Sequence, residues 1–369
     1  MAGSMARASN RKMLLGAILI TLILASTGYV LYGLGAYDTY QESSAAYAYT
    51  ASGGVSVNWF LAFGPSRALP TAFYTNLHNG IVAVRYKSAL PQQLHISVSI
   101  PNFTQLETIT VAAGPAWQTI TLKPPLLPGA LDSLFATSRA AQVTLQVTDA
   151  SNKVRYQGSQ SIILLSRQEM IWRDTQGNDN SALLAAWVTP LDPSVEQLVS
   201  QATLFLRQTT TPGMIGYHGA SSQDVINQVD AIFDALNDDG HGVRYVNEQV
   251  PYQRSGTNEI DETIKLPKDV LRYHTGMCME TTLTMASALV SIGLRPYVVI
   301  IPGHAFLGVA LGSAVNSPRA YWETSLLGQP YTGEQAYQKG EEEYQHYQAD
   351  ILAVIDIMAE INAGIVPME

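Results

Sequence analysis

The sequence predicts an α+β protein in three parts: one N-terminal transmembrane helix, an antiparallel β-sandwich and a C-terminal α+β domain. Three observations lead to this prediction. An uncharged apolar run lies near the N-terminus, residues 70–165 alternate between apolar and polar side chains, and a helical period follows residue 165. The predicted boundaries are 1–12 for a cytoplasmic N-terminus, 13–37 for the helix, 38–69 for a linker, 70–165 for the sandwich and 166–369 for the last domain.

The composition limits the classes of function. The chain has 369 residues, of which 47% are hydrophobic and 14% charged, so a globular protein with a large core is expected. The net charge of −9 argues against a nucleic-acid partner, because phosphate binding needs clustered Lys and Arg. Cys278 is the single cysteine, which excludes an intramolecular disulfide. The scattered histidines form no pattern typical of zinc ligands, and we expect neither a metal nor a cofactor.

Residues 13–37 contain no charge and exceed the roughly 20 apolar residues that a membrane-spanning helix needs. Arg7, Arg11 and Lys12 precede this run, so the positive-inside rule predicts a single-pass protein with a cytoplasmic N-terminus and extracytoplasmic C-terminal domains. A cleaved signal peptide is the alternative. Its apolar region would be only about 7–15 residues long, so the sequence favours an uncleaved signal anchor that contacts the membrane through residues 13–37.

The middle segment has the period of β-strands. Leu94, Ile96 and Val98 alternate with polar residues, residues 143–147 repeat the pattern, and turn residues such as Pro124–Pro125 separate the apolar runs. Short strands at this spacing predict an Ig-like antiparallel sandwich. No chemistry stands out in the segment, and we expect it to serve as a spacer or a binding module.

The C-terminal segment begins with helical signals. Asp192 followed by Pro193 predicts an N-cap and a first helical residue, and a second helix is predicted over about 223–237. A third predicted helix has a buried stripe that includes Leu283 and Leu289, and it places Cys278 in its first turn. A helix N-terminus carries roughly half a positive charge, and this potential favours a nucleophilic thiolate.

Two predicted strands follow, and they carry a histidine and an acid. Residues 305–311 and 319–324 both have strand-like sequences, and His304 precedes the first of them. If the two strands pair as a hairpin, His304 and Glu323 lie side by side. The carboxylate would then hold the tautomer of the imidazole, while the other ring nitrogen faces the thiol.

The order of three motifs resembles the transglutaminase-like superfamily. The motifs are GMCME at 276–280, PGHAFLGV at 302–309 and ETS at 323–325. The resemblance covers roughly residues 185–367 and is nearest to a membrane-anchored branch of bacterial and archaeal proteins. It implies a papain-like core, in which one helix carrying the nucleophile packs on an antiparallel sheet.

The same resemblance implies the site residues. Cys278 would be the nucleophile, His304 the general base and acid, and Glu323 the partner that orients His304, although the superfamily more often has Asp there. Glu280 matches an acid that similar sequences place two residues after the cysteine. The oxyanion hole would use the backbone N–H of Cys278 and a second donor. The candidates for that donor are Tyr245 and Gln249.

Each assignment has a structural alternative. Cys278 could be a small buried hydrophobic residue, and His304 a histidine of the core. The run Glu341–Glu343 is typical of a solvated helix face.

The expected function is that of a cysteine-dependent enzyme that cleaves or transfers amide bonds of a protein or peptide in the cell envelope. Water as the acceptor would give a peptidase or amidase, and an amine would give acyl transfer. The alternative function is a non-catalytic binding or scaffolding protein that keeps the fold.

Overall fold

Alternating and helical apolar patterns both appear in the structure as regular elements. The computed structural model describes residues 49–50, 52–62, 67–77, 80–134, 137–173, 179–237, 242–253 and 260–368. The strands are β1 (Tyr49–Thr50), β2 (Val55–Leu61), β3 (Ala68–Leu69), β4 (Val82–Ser88), β5 (Gln92–Ser99), β6 (Glu107–Ala113), β7 (Gln118–Leu122), β8 (Arg139–Asp149), β9 (Val154–Leu164), β10 (Glu169–Arg173), β11 (Arg244–Tyr245), β12 (Ile260–Thr263), β13 (Thr275–Gly276), β14 (Pro296–Ile301), β15 (His304–Ala310), β16 (Arg319–Trp322) and β17 (Ala353–Asp356). The α-helices are α1 (Pro193–Ala202), α2 (Ser222–Asn237), α3 (Pro267–Tyr273), α4 (Cys278–Ser291), α5 (Gly333–Tyr347) and α6 (Ile357–Asn362).

The fold class predicted from the sequence needs one correction. In the described part of the chain, no helix is both long and apolar enough to cross a membrane. The run 13–37 lies outside the described residues, so the predicted transmembrane helix has no support. Apolar length and flanking charge measure a preference for lipid, and neither measures helix formation. The fold is mixed α+β with several sheets, and the predicted extracytoplasmic location, which depended on that helix, stays a prediction.

The chain divides into two units, and the first is built from strands. It comprises the described residues within 1–63, 79–125 and 143–160. One of its sheets has the strand order β1-β2-β4-β7, and the strands β9, β8, β5 and β6 are neighbours in another. β5 pairs antiparallel with both β6 and β8. Leu94, Ile96 and Val98 are fully buried, as their alternation predicted.

The boundaries of this unit differ from the predicted sandwich at both ends. Residues 55–61 form β2, although the sequence prediction placed them in the linker 38–69. Val55 and Val57 are fully buried, so this segment contributes to the core and forms part of the sheet. Residues 126–142 and 161–165 belong to the second unit. Composition suggested a tether at 38–69 because small and polar residues surround the apolar strand.

The second unit places one buried helix on an antiparallel sheet. It comprises the described residues within 64–78, 126–142 and 161–369. Its largest sheet has the order β16-β15-β14-β17, with antiparallel pairing throughout. The helix α4 packs against β14 and β15. Every residue of α4 from Cys278 to Leu289 is buried, which is typical of a helix surrounded by protein on all sides.

Candidate active site

The start of α4 determines where Cys278 lies. Met277 is the extended N-cap residue, and Cys278 is the first residue of the helix. The preceding Gly276 pairs with Tyr245 in the short parallel pair of β13 and β11. A Cβ at Gly276 would approach Cγ2 of Thr281 to 3.0 Å, so a small residue suits this close turn into the helix.

The sulfur of Cys278 is buried next to the backbone of Glu248. Cys278 has no exposed surface, and its sulfur lies 4.0 Å from the backbone oxygen of Glu248. In this conformation the sulfur is therefore not open to solvent.

The side chain of Glu280 stabilises the first turn of α4. Its carboxylate accepts the backbone N–H of Met277 at 3.0 Å and that of Lys265 at 2.8 Å, and the Lys265 ammonium donates to it at 3.0 Å. Glu280 is only 3% exposed. These partners assign Glu280 a structural role, because they anchor the turn that carries Cys278.

Replacing Glu280 with alanine is expected to destabilise the protein. The backbone N–H groups of Met277 and Lys265 would lose their acceptor, and an unpaired buried donor costs about 1–3 kcal/mol. We therefore expect the free energy of unfolding to fall by about 3 kcal/mol in urea titrations. A matched control is Glu196→Ala on the exposed face of α1, which should change it by less than about 1 kcal/mol. An equal loss in both variants would contradict this role.

His304 begins β15 directly after a tight turn. β14 and β15 form a hairpin in which Ile301 pairs with His304, and Pro302–Gly303 connects them. Gly303 has a φ of +74°, a left-handed conformation that favours glycine. The turn therefore places His304 at the end of the sheet.

Glu323 lies where β16 ends. It caps the short 3₁₀-helix Thr324–Leu326 and accepts the backbone N–H of Ser325 on Oε1 at 2.8 Å. Its other oxygen, Oε2, lies 2.9 Å from Nε2 of His304. Both carboxylate oxygens are therefore used, and the remaining ring nitrogen of His304, Nδ1, is the one left for Cys278.

The charge state of His304 follows from these neighbours. Burial alone would lower the pKa of His304, but hydrogen bonding to Cys278 and Glu323, together with their negative charges, raises it to about 10. The ring is therefore an imidazolium over the physiological range. The ring is hydrogen-bonded to Glu323 at 2.9 Å, and an imidazolium close to a cysteine favours its thiolate form.

Three threonines join the helix and the acid, and sequence reasoning missed them. Oγ1 of Thr324 lies 2.9 Å from Oγ1 of Thr281 and 3.1 Å from Oγ1 of Thr282. All three residues are fully buried. Since Thr324 follows Glu323 directly, this cluster holds the acid at a constant distance from the start of α4. The signal available in the sequence was the presence of threonines in the otherwise apolar helix α4.

The two candidates for the second oxyanion donor differ in their surroundings. The hydroxyl of Tyr245 donates to Oδ1 of Asn247 at 3.3 Å. Burial raises the pKa of Tyr245 to about 12, and the charges of Cys278 and Glu323 act in the same direction. Gln249 is exposed, and its side chain lies 3.8 Å from the position of a Cβ on Gly303. Both residues border the site, and the choice between them stays open.

The prediction for Glu341–Glu343 as a solvated helix face was wrong in part. Glu341 accepts the backbone N–H of Tyr321 at 3.0 Å. Potential ligand atoms of Glu343, His304 and Glu323 all lie within 4.8 Å of one another, and among the described residues this is the one group with a geometry open to a metal ion. Nε2 of His304 and Oε2 of Glu323 are already hydrogen-bonded to each other, so we describe the group as two acids around one imidazole.

The structure brings Cys278, His304 and Glu323 together, with Tyr245 and Gln249 at the border and Glu280 beneath. Their catalytic roles stay predictions. Neither a scan against protein-family models nor a search of curated proteins gives a match for the chain. The resemblance to transglutaminase-like enzymes therefore stays a prediction as well, and the chemistry of the site has to be argued from its geometry.

Proposed function

We propose that the chain is a transglutaminase-like thiol enzyme that acts on amide bonds of a protein or peptide. The observation that supports this proposal best is the 2.9 Å hydrogen bond between His304 and Glu323 beside the helix N-terminus that carries Cys278. A nucleophile, a base and a group that orients the base are the three parts that covalent acyl transfer requires.

The first half of the proposed reaction forms a thioester. The Cys278 thiolate attacks the amide carbon, and the backbone N–H of Cys278 at the helix start stabilises the oxyanion. The C–N bond then breaks, and the leaving nitrogen takes a proton from Nδ1 of His304. Glu323 holds Nε2 throughout and stabilises the charged ring before its proton leaves.

The second half returns the enzyme to its starting state. Water or an amine attacks the thioester carbon and gives its proton to Nδ1 of His304. The C–S bond breaks, the acyl group leaves as an acid or a new amide, and the thiolate–imidazolium pair is restored. The acceptor decides between hydrolysis and acyl transfer, and either outcome uses the same three side chains.

A non-catalytic binding protein is the second candidate, and one observation favours it. Cys278 has no exposed surface, as expected for a residue that only packs in the core. The two candidates differ in whether the sulfur reacts with a substrate carbonyl.

Acylation by an activated ester separates them. The wild-type chain would be incubated with a p-nitrophenyl ester, and the modified residue mapped by peptide mass spectrometry. The proposal predicts an acyl group on Cys278, discharged by water or an added amine, and much slower acylation of His304→Gln. The binding protein would be favoured if wild type and His304→Gln were acylated at the same rate. It would also be favoured if Cys278 stayed unmodified after prolonged incubation with the ester.

A further inference from the structure

The helix α5 approaches β16 unusually closely, and Gly340 permits this. A Cβ at Gly340 would overlap the backbone of Tyr321 and Trp322, so any larger residue would push the helix away. Two hydrogen bonds hold the contact: the backbone N–H of Tyr321 donates to Glu341 at 3.0 Å, and that of Glu323 donates to the Ala336 oxygen at 3.0 Å.

This close packing places Glu343 at the His304–Glu323 pair. Glu343 follows Gly340 by three residues and therefore lies on the same face of α5. Its carboxylate, the His304 ring and the Glu323 carboxylate have atoms within 4.8 Å of one another. Its neighbour Glu342 lies on the outer face, 65% exposed, where it pairs with Lys339 at 2.6 Å.

Glu343 interacts with the neighbours that the structure describes through their charges and not through a direct hydrogen bond. Within the described ranges, its carboxylate has neither a hydrogen bond nor an ion pair within 4 Å. Burial raises the pKa of Glu343, and the charge of Glu323 acts in the same direction, whereas His304 and His346 lower it. The charged and titratable groups that face Glu343 are therefore Glu323 from the end of β16, His304 from β15 and His346 from its own helix.

We propose that Glu343 is a positioning residue that acts through His304: together with Glu323, its carboxylate keeps the charged imidazole in the orientation that serves Cys278. The inference rests on the proposed function, because it concerns the same ring. Two carboxylates close to the imidazolium favour its protonated form over the neutral form. The ring then keeps its proton for the leaving nitrogen up to a higher pH than with Glu323 alone.

The consequence is a shift of one titration. The pKa of His304 is raised to about 10, against the effect of burial, by hydrogen bonding to Cys278 and Glu323 and by their charges. Removing a negative charge near an imidazolium lowers the pKa of the ring, and at this separation the change amounts to about one pH unit. Glu343→Gln keeps the size of the side chain and removes the charge. Glu343→Asp keeps the charge and shortens the side chain.

Nuclear magnetic resonance of ring-labelled histidine measures this titration without a substrate. The chain has seven histidines, and the signal that disappears in His304→Gln is that of His304. We expect Glu343→Gln to titrate about one unit below wild type, Glu343→Asp to recover most of the difference, and the matched control Glu342→Gln to titrate with wild type.

The outcomes distinguish this inference from the proposed function. A wild-type ring that titrates near pH 10 and a Glu343→Gln ring that titrates at the same pH would overturn the role of Glu343 alone. An equal shift in Glu343→Gln and Glu342→Gln would also overturn it, because any surface charge would then serve. A wild-type ring that titrates near the ordinary value of about 6.5 would reject the thiolate–imidazolium pair and with it the proposed function.

Discussion

Cys278→Ala is expected to abolish acyl transfer, with a loss in kcat/KM of at least about 10⁴-fold. The chain has one cysteine, so no second thiol can replace the nucleophile. The substitution removes a single sulfur from a fully buried position, and we expect it to lower the free energy of unfolding by only about 1 kcal/mol. Hydrolysis of the p-nitrophenyl ester, followed by the absorbance of the released p-nitrophenolate, measures the loss.

A control variant at the other end of the same helix separates chemistry from folding. Ser291 is the last residue of α4, it is exposed, and its hydroxyl donates to the Ala288 oxygen at 2.8 Å. Ser291→Ala should keep the wild-type rate. If Cys278→Ala and Ser291→Ala hydrolysed the ester equally fast, the hydrolysis would come from another group and Cys278 would have no catalytic role.

Glu323→Gln is expected to lower kcat by about 10³-fold. The carboxylate accepts from two donors, the Ser325 backbone N–H on Oε1 and the His304 ring on Oε2. An amide has one acceptor oxygen. If that oxygen keeps the bond to Ser325, the amide NH₂ faces Nε2. The ring then has to carry its proton on Nδ1, so Nδ1 cannot accept the proton of the attacking water. The ring would then lose its function as a base.

Glu323→Asp gives the matched comparison. Aspartate keeps both acceptor oxygens but shortens the side chain by one methylene, so we expect a smaller loss in kcat than in Glu323→Gln. Single-turnover deacylation, measured by stopped flow, reports the step in which His304 acts as a base and accepts the proton of the attacking water. Equal losses in kcat in the two variants would show that the length of the side chain matters and not its number of acceptor oxygens. That result would contradict this account of the tautomer of His304.

Local signals in the sequence located the start of two helices well. Asp192 caps α1 as predicted, since its side chain accepts the Ser194 N–H at 2.9 Å. The position of Cys278 at the start of α4 is also confirmed. Caps, turns and apolar stripes act within a few residues of one another, so a sequence shows them directly. His304 and Glu323 were placed by strand pairing, which a hairpin makes nearly local.

Contacts between distant segments were not predictable in the same way. The role of Glu343 depends on how closely α5 approaches β16, and the only local sign is Gly340 in the middle of a helix, where glycine is unfavourable. The contact between Cys278 and the backbone of Glu248 joins two segments 30 residues apart, and the residues around Glu248 have no strong period of their own. β2 was missed because its apolar residues stand between polar segments typical of a linker.

The central claim is that Cys278 and His304 form a thiolate–imidazolium pair, and the ultraviolet absorbance of the thiolate tests it most directly. The difference between wild type and Cys278→Ala isolates one thiolate, because the chain has one cysteine. We predict this thiolate signal in the wild-type chain and its loss in His304→Gln at the same pH. A wild-type spectrum equal to that of Cys278→Ala would contradict the account.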